Sequence, residues 1–307
     1  MTAPIISAVI TTFQRRVLVV GAIQSALAQT RPLDELIVVD DGSTDGTGEA
    51  IRREFGDRVR YVWQHNAGVS AARNRGLAMA RGQLLALLDS DDRWDADKTR
   101  LQSAWLEEHP GYGMVLSDVA RVDGDGRPID VLRRRAAIPE DGDVLRWVLR
   151  DPVLVPASVM FRREVFESVG GFDAALATAE DLDFHLRVAR DWKIGVIEQP
   201  LVTAMRGHDG LSATAGSYAD YVLVFERFIP TVRTRLPAAM LGASLALACR
   251  RSARGLLQEG RWNEAWRLVR RAWSVAPALG ERACLLSLTP IAARRAAAHV
   301  KRVLRAS

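Results

Sequence analysis

The sequence predicts an α/β fold, an open and mostly parallel sheet flanked by helices, followed by an all-helical C-terminal region. Three observations predict it. Short apolar runs alternate with helical patterns through the first third of the chain. Several of those runs are apolar at consecutive positions, as strands buried on both faces are. Residues 218–307 show no strand pattern, only stretches rich in Ala, Leu and Arg.

Taken in order, Ile5–Thr11 reads as a strand and Val17–Gln29 as a helix with Leu18, Ala22, Ala26 and Leu27 on one side. Glu35–Asp40 is a second strand, and Ser43-Thr44-Asp45 offers an N-cap for a helix through about Phe55. Val59–Trp63 follows as a strand, Gly68–Arg81 as a helix and Leu84–Leu88 as a strand. Strands alternating with helices at this spacing make βαβ units. Beyond Gly111 the rhythm changes: Met114–Val122 and Ala157–Phe161 read as strands, Asp143–Arg150 and Glu180–Asp191 as helices. Gly255–Pro277, turning at Gly260, has the pattern of one helical hairpin of a tetratricopeptide-type repeat. Two domains are expected, 1–217 and 218–307.

Composition excludes several classes. With 48% hydrophobic and 26% charged residues, 307 residues can bury a core without staples. The two cysteines, Cys249 and Cys284, stand at no metal-ligand spacing and fit a reducing compartment. No run reaches the roughly 18–20 apolar residues that span a bilayer, and the N-terminus lacks a basic leader pattern. A cytoplasmic protein is expected, at most peripheral on the inner face of the membrane. The net charge of +5 divides unevenly: residues 1–217 hold 26 Lys and Arg against 32 Asp and Glu (−6), residues 218–307 hold 16 against 5 (+11). The acidic front argues against a nucleic-acid partner. The basic helical region, ending in Arg294, Arg295, Lys301, Arg302 and Arg305, suits an anionic membrane surface or a homodimer.

Ligands of open α/β sheets bind beyond the carboxyl ends of the strands. There the sequence places Thr11-Thr12-Phe13, then Asp40-Asp41-Gly42-Ser43, then Asp89-Ser90-Asp91-Asp92. Asp residues also cap helices, but three carboxylates in four residues exceed what one cap needs. Carboxylates converging from two strand ends are costly without a cation or donors between them. Oxygen ligands alone favour a hard cation, Mg²⁺ or Mn²⁺, over zinc. Neither a P-loop nor a G-x-G-x-x-G turn follows the first strand. A nucleotide diphosphate bridged by metal is the simplest ligand. The tryptophans Trp94, Trp105, Trp147 and Trp192 read as packing rather than as sugar platforms.

The motifs in sequence carry a resemblance. Ala8–Phe13, Ser25-x-x-x-Gln29-Thr30, Ile37–Thr47, Asn66-x-Gly68-x-Ser70-x-Ala72-Arg73-Asn74-x-Gly76, Leu88–Asp92, Gly170–Asp173, Glu180-Asp181-x-Asp183 and Arg206-x-His208 together resemble a family 2 glycosyltransferase with the Rossmann-like GT-A fold. They cover about 5–212. The resemblance implies that Thr11, Phe13 and Asp41 line a nucleotide-base pocket with Asp40 beside them, and that Arg73 lies near the base or phosphates. It implies Asp89 toward the ribose, Asp91 toward a divalent metal, Asp92 toward the donor sugar or the metal, and His208 as a further metal ligand. Phe13 stands where relatives often have Tyr, and stacking on a base survives that change. Asp181 matches the general base and Glu180 its partner or an acceptor contact. First-turn acids also favour a helix dipole, which is compatible with catalysis. The implied activity is inverting, metal-dependent sugar transfer from a nucleotide-diphosphate sugar to a hydroxyl of a glycan or lipid-linked acceptor. A sugar nucleotidyltransferase would carry a Gly-rich basic loop after the first strand, which Thr11-Thr12-Phe13-Gln14 is not. A non-catalytic scaffold working through its tail would show damaged motifs, and these stand intact.

Overall fold

A computed structural model describes residues 3–132, 139, 141–150, 155–206 and 220–276. The chain divides into two compact units: Met1–Leu176 with Glu180–His208, and Ala177–Ala179 with Asp209–Ser307. The expected boundary at 217/218 lies outside the described residues.

The first unit is built on one sheet. Its leading half runs β1 (Ile6–Thr12), α1 (Arg16–Leu27), β2 (Glu35–Asp40), α2 (Thr47–Phe55), β3 (Arg60–Trp63), α3 (Val69–Met79) and β4 (Leu84–Asp89). These strands are parallel in the order β3-β2-β1-β4, as the βαβ rhythm predicts. The second half comprises β5 (Asp92–Trp94), α4 (Lys98–Glu108), β6 (Tyr112–Val122), β7 (Pro128–Leu132), α5 (Leu145–Arg150), β8 (Val159–Arg162), α6 (Arg163–Val169), α7 (Glu180–Asp191) and β9 (Lys193–Met205). It extends the sheet as β4-β8-β6-β9-β5, with β7 paired to β6. Here β4–β8, β8–β6, β6–β7 and β9–β5 are antiparallel, and β6–β9 is parallel. Uniformly parallel pairing therefore belongs to the leading half, and the complete sheet is mixed.

Side-chain alternation sorts the parallel strands into two faces. Ile6, Ala8, Ile10, Leu36, Val38, Leu84, Ala86 and Leu88 share one core with Val19, Ala22 and Ile23 of α1 and Ile51 and Phe55 of α2. The opposite face receives α3, whose Gly76 lets the helix settle onto Val9 and Val39: a Cβ there would stand 2.3 Å from Val9 Cγ1.

One local expectation is corrected. Ser43-Thr44-Asp45 does not open α2, which starts at Thr47 after left-handed Gly46. Ser43 and Thr44 are taken by the neighbouring loop, while Asp45 bonds both that loop and the helix start, its Oδ1 accepting the Thr47 N–H at 3.1 Å. Ser43 Oγ accepts Gln14 N–H at 2.8 Å, Thr44 Oγ1 accepts Gln14 Nε2 at 2.9 Å, and Asp45 accepts Arg16 N–H at 3.1 Å.

The tryptophans pack as read. Trp94 is buried and donates Nε1–H to the Ala157 carbonyl, Trp105 stacks on His109, Trp147 is buried, and Trp192 donates to Ser168 Oγ. Beside Trp94 lies fully buried Lys98, which donates to Gln102 Oε1 at 2.6 Å and sits 4.3 Å from the Trp94 ring. Burial pulls its ammonium down to about 7.

The second unit contains α8 (Tyr221–Val232), α9 (Ala238–Gln258) and α10 (Trp262–Val275). The last two are joined at Glu259–Arg261, where the hairpin turn was expected, but the first arm begins at Ala238 and not at Gly255. Asp220, just before α8, accepts the Thr178 backbone N–H at 2.8 Å and the Thr178 hydroxyl at 3.3 Å, and its own N–H donates to Thr178 Oγ1 at 3.1 Å. Cys249 is buried. His208, Arg133–Arg135, Cys284 and the basic stretch 292–306 lie outside the described residues. Among those described, no helix is long and apolar enough to cross a membrane.

Candidate active site

The register of the parallel strands decides which acids meet. Thr11 pairs with Asp89 and Thr12 with Asp40, so Asp89 shares a face with Thr11 while Asp40 shares the other with Thr12. Asp40 therefore does not join Asp89, which corrects the expected convergence for that one carboxylate. Asp40 is buried on the α1/α2 face, accepting Ser43 N–H at 2.9 Å and Tyr61 O–H at 2.7 Å. Its charge and the burial of Tyr61 hold that phenol well above its ordinary pKa. Asp41, one residue on, accepts Gln64 Nε2 at 2.6 Å and the backbone N–H groups of Ala67 at 2.9 Å and Gly68 at 2.8 Å. It ties the end of β2 to the start of α3. Gly68 suits this turn because its φ is +89°, a backbone that side chains rarely adopt.

Asp89 faces α3, and there Arg73 organises the site. Its guanidinium donates to Asp89 Oδ1 at 2.8 Å and to Glu180 Oε1 at 2.7 Å, and stands 5.2 Å from the Phe172 ring. Burial works against the charge, but Asp89 and Glu180 outweigh it and hold the guanidinium firmly protonated. One cation therefore joins the Asp-x-Asp segment to the Glu-Asp segment.

Glu180 and Asp181 open α7. They follow Ala179, whose φ of +61° is unusual for a residue with a Cβ, a conformation costing on the order of 1 kcal/mol. Asp181 Oδ1 accepts the Leu182 N–H at 2.7 Å. Burial, and next the Glu180 charge, push the Asp181 carboxyl up to about 7 against the opposing pull of Arg73. A carboxyl tuned near neutrality matches the requirement for a general base. His185, one helical turn on, is pushed down to about 3 by burial and the Arg73 charge, and is neutral; its buried Nδ1 has no hydrogen-bond partner among the described residues.

Asp91 bonds Arg15 Nη1 at 2.9 Å. Asp92 is buried on β5, and burial together with Asp89 and Asp91 raises its carboxyl well above the usual range. Thr11 is buried at the end of β1, while Phe13, just beyond it, is 45% exposed. The structure thus gathers Arg73, Asp89, Glu180 and Asp181, and sets Asp40 apart.

The Gly170–Asp173 loop is stapled to α3. Asn74 Nδ2 donates to the Phe172 carbonyl and Asn74 Oδ1 accepts the Phe172 N–H, both at 2.8 Å. Arg187, paired with Asp183 at 2.8 Å, donates to the Gly171 carbonyl at 2.7 Å. A Cβ on Gly171 would stand 2.3 Å from Asn74 Oδ1. Gly171→Ala is accordingly expected to destabilise the fold by about 1–3 kcal/mol, read as a lower urea midpoint.

Arg15 and His185 carry no motif signal. Arg15 stands three residues beyond the end of β1, and that nearness to the carboxyl end of the strands is the one sign of it in the sequence.

A family model described as glycosyl transferase family 2 matches residues 7–170. The chain belongs to that family. Among relatives of this family 2 member, the putative teichuronic acid biosynthesis glycosyltransferase TuaG of Bacillus subtilis is 32% identical over 136 residues, 41% of this chain and 51% of TuaG. The succinoglycan biosynthesis protein ExoO of Rhizobium meliloti is 31% identical over 164 residues, 52% of this chain and 44% of ExoO. The chain spans about half the length of these two relatives, and 32% of an uncharacterized glycosyltransferase of Rickettsia felis. Two solved structures share the fold of the glycosyltransferase. Staphylococcus aureus TarS 1–349, in complex with UDP-GlcNAc, superposes with a TM-score of 0.69 at 17% identity over 94% of this chain and 89% of that one. The mannosyltransferase PcManGT of Pyrobaculum calidifontis, with GDP-Man and Mn²⁺, gives 0.57 at 22% identity over 94% and 86%.

Proposed function

We propose that the chain transfers a sugar, with inversion, from a nucleotide-diphosphate sugar to a hydroxyl of a glycan or lipid-linked acceptor, with Asp181 taking the hydroxyl proton. The observation that carries this reading is Asp181 itself, a carboxyl lifted to about 7 beside a guanidinium that ties its motif to Asp89. Inverting transfer is one displacement at the anomeric carbon and needs a base but no protein nucleophile. Arg73 orients Glu180 and Asp89 so that base and donor site stay in fixed relation. Exposed Phe13 offers its ring to the nucleotide base, next to Thr11, with Asp41 shaping the adjoining loop. Asp92 stands toward the donor sugar.

The acids suit a hard cation: burial, with the Asp89 and Asp91 charges added to it, holds the Asp92 carboxyl well above the usual range. Among the described residues no group of three potential ligand side chains gathers. Mn²⁺ or Mg²⁺ would be held by Asp91 and His208, neutralising the departing diphosphate. The TarS and PcManGT complexes carry UDP-GlcNAc and GDP-Man with Mn²⁺ respectively, which supports donor and cation classes of this kind.

The test is a screen of UDP-, GDP- and dTDP-sugars for hydrolysis by the chain, with and without chelator. One donor class is expected to be hydrolysed, and chelator to stop it. Because the Asp181 carboxyl must be ionised to act, the rate should rise with pH through about 7 and level off above it. No hydrolysis of any donor, or a rate flat from pH 6 to 8, overturns the reading. Pyrophosphate release from a sugar 1-phosphate and an NTP would replace it with nucleotidyl transfer.

A further inference from the structure

The α10 helix is built inside out for size. Its buried side chains are Ala265, Val269 and Ala272, while Trp262, Trp266 and Trp273 are 39%, 47% and 44% exposed. At 100° and 1.5 Å per residue, the three tryptophans fall within a band about 40° wide and about 16 Å long. Arg270 is exposed on the flank of that band, about 40° from Trp266, and Arg267 is exposed about 100° beyond it. The only acid of the helix, Glu264, lies toward its far side and is paired with Arg261. A helix selected only to pack on α9 would bury its large apolar side chains, since fully buried indoles contribute most to a core.

We propose that this tryptophan face of α10 docks on an anionic phospholipid surface. Three features favour that occupant. Indoles with one apolar body and one N–H donor settle at the headgroup level of a bilayer. The flanking guanidiniums match phosphate, and residues 218–307 carry 16 Lys and Arg against 5 Asp and Glu. The face is a straight line along a convex helix, which meets a plane; a sugar platform would sit on the floor of a cleft. No described helix crosses a membrane, so this is attachment to a surface. The inference stands apart from the transfer chemistry, because no residue of α10 belongs to the site described above.

The experiment is co-sedimentation of the full chain with phosphatidylcholine vesicles, with and without phosphatidylglycerol. Binding is expected on the anionic vesicles alone and should weaken as salt rises. A W266S/W273S variant should lose about tenfold in vesicle affinity, and R267Q/R270Q should lose most of the salt dependence, both with unchanged circular dichroism. If the tryptophan variant fails to fold, the arginine variant decides. Equal binding to neutral and anionic vesicles, wild-type binding by the variants, or capture of soluble polygalacturonate in place of vesicles overturns the proposal. So does a dimer without lipid that either variant converts to monomer, which would make the face a contact between copies.

Discussion

Replacing Asp181 with Asn is expected to remove transfer, by about 10²–10⁴-fold, while making the folded chain more stable above pH 7. The two effects have one cause. Folding raises the Asp181 carboxyl from near 3.8 to about 7, chiefly by burial and then by the Glu180 charge. For a carboxyl raised on folding, the native state binds the extra proton. Its stabilising contribution is complete below pH 3.8 and is lost as pH rises through 7. Above that, the chain holds a partly buried charge that it would shed by unfolding. Asparagine has the same shape, keeps an oxygen for the Leu182 N–H, and carries no charge. A shift of this size corresponds to about 4 kcal/mol at most, and contact with solvent lowers it to about 1 kcal/mol. Thermal unfolding at pH 5 and pH 8 measures it: the Asn variant should gain about 2 °C over wild type at pH 8 and less than half of that at pH 5. Activity retained by the variant, or a stability gain larger at pH 5, would contradict the assignment.

Arg73→Met should be the most damaging single change to stability. The guanidinium separates Asp89 from Glu180 and faces Asp181. Removing it leaves carboxylates in each other's field with no counter-charge, a loss of about 3–5 kcal/mol when one partner of a buried pair is deleted. The penalty needs ionised carboxylates, so urea unfolding should show a larger loss at pH 8 than at pH 5. Arg73→Lys should recover only part of it, since an ammonium cannot donate along two fixed directions to two acids at once. Loss of transfer should exceed what unfolding explains, because the link between Glu180 and Asp89 is gone even in the folded fraction.

The leading half of the fold was legible because β1, β2 and β4 are buried on both faces and its helices are ordinary in length. The trailing half was harder for physical reasons. In β9, Glu198-Gln199-Pro200 interrupts the apolar pattern, and its pairing with β6 shifts register at three places. β5 is only three residues long. The site shows the same division. The Asp40-Asp41 and Asp89–Asp92 clusters are plain in the sequence, but which carboxylate looks which way depends on strand register, where one residue reverses the face. Arg73 and Glu180 are 107 residues apart, so the bond that unites the site arises only when α3 and α7 stand together. Arg15 at Asp91 and neutral His185 on the buried face of α7 are likewise products of packing.

The junction between the two compact units has an evolutionary consequence. Ala177–Ala179 cluster with the C-terminal helices, while Glu180 clusters with the sheet. Asp220 holds Thr178, two residues before that acid. No single crossover point can therefore exchange the helical region as a self-contained cassette. A lineage acquiring a foreign tail would also forfeit the carboxylate that anchors the segment leading into its own Glu180-Asp181 pair.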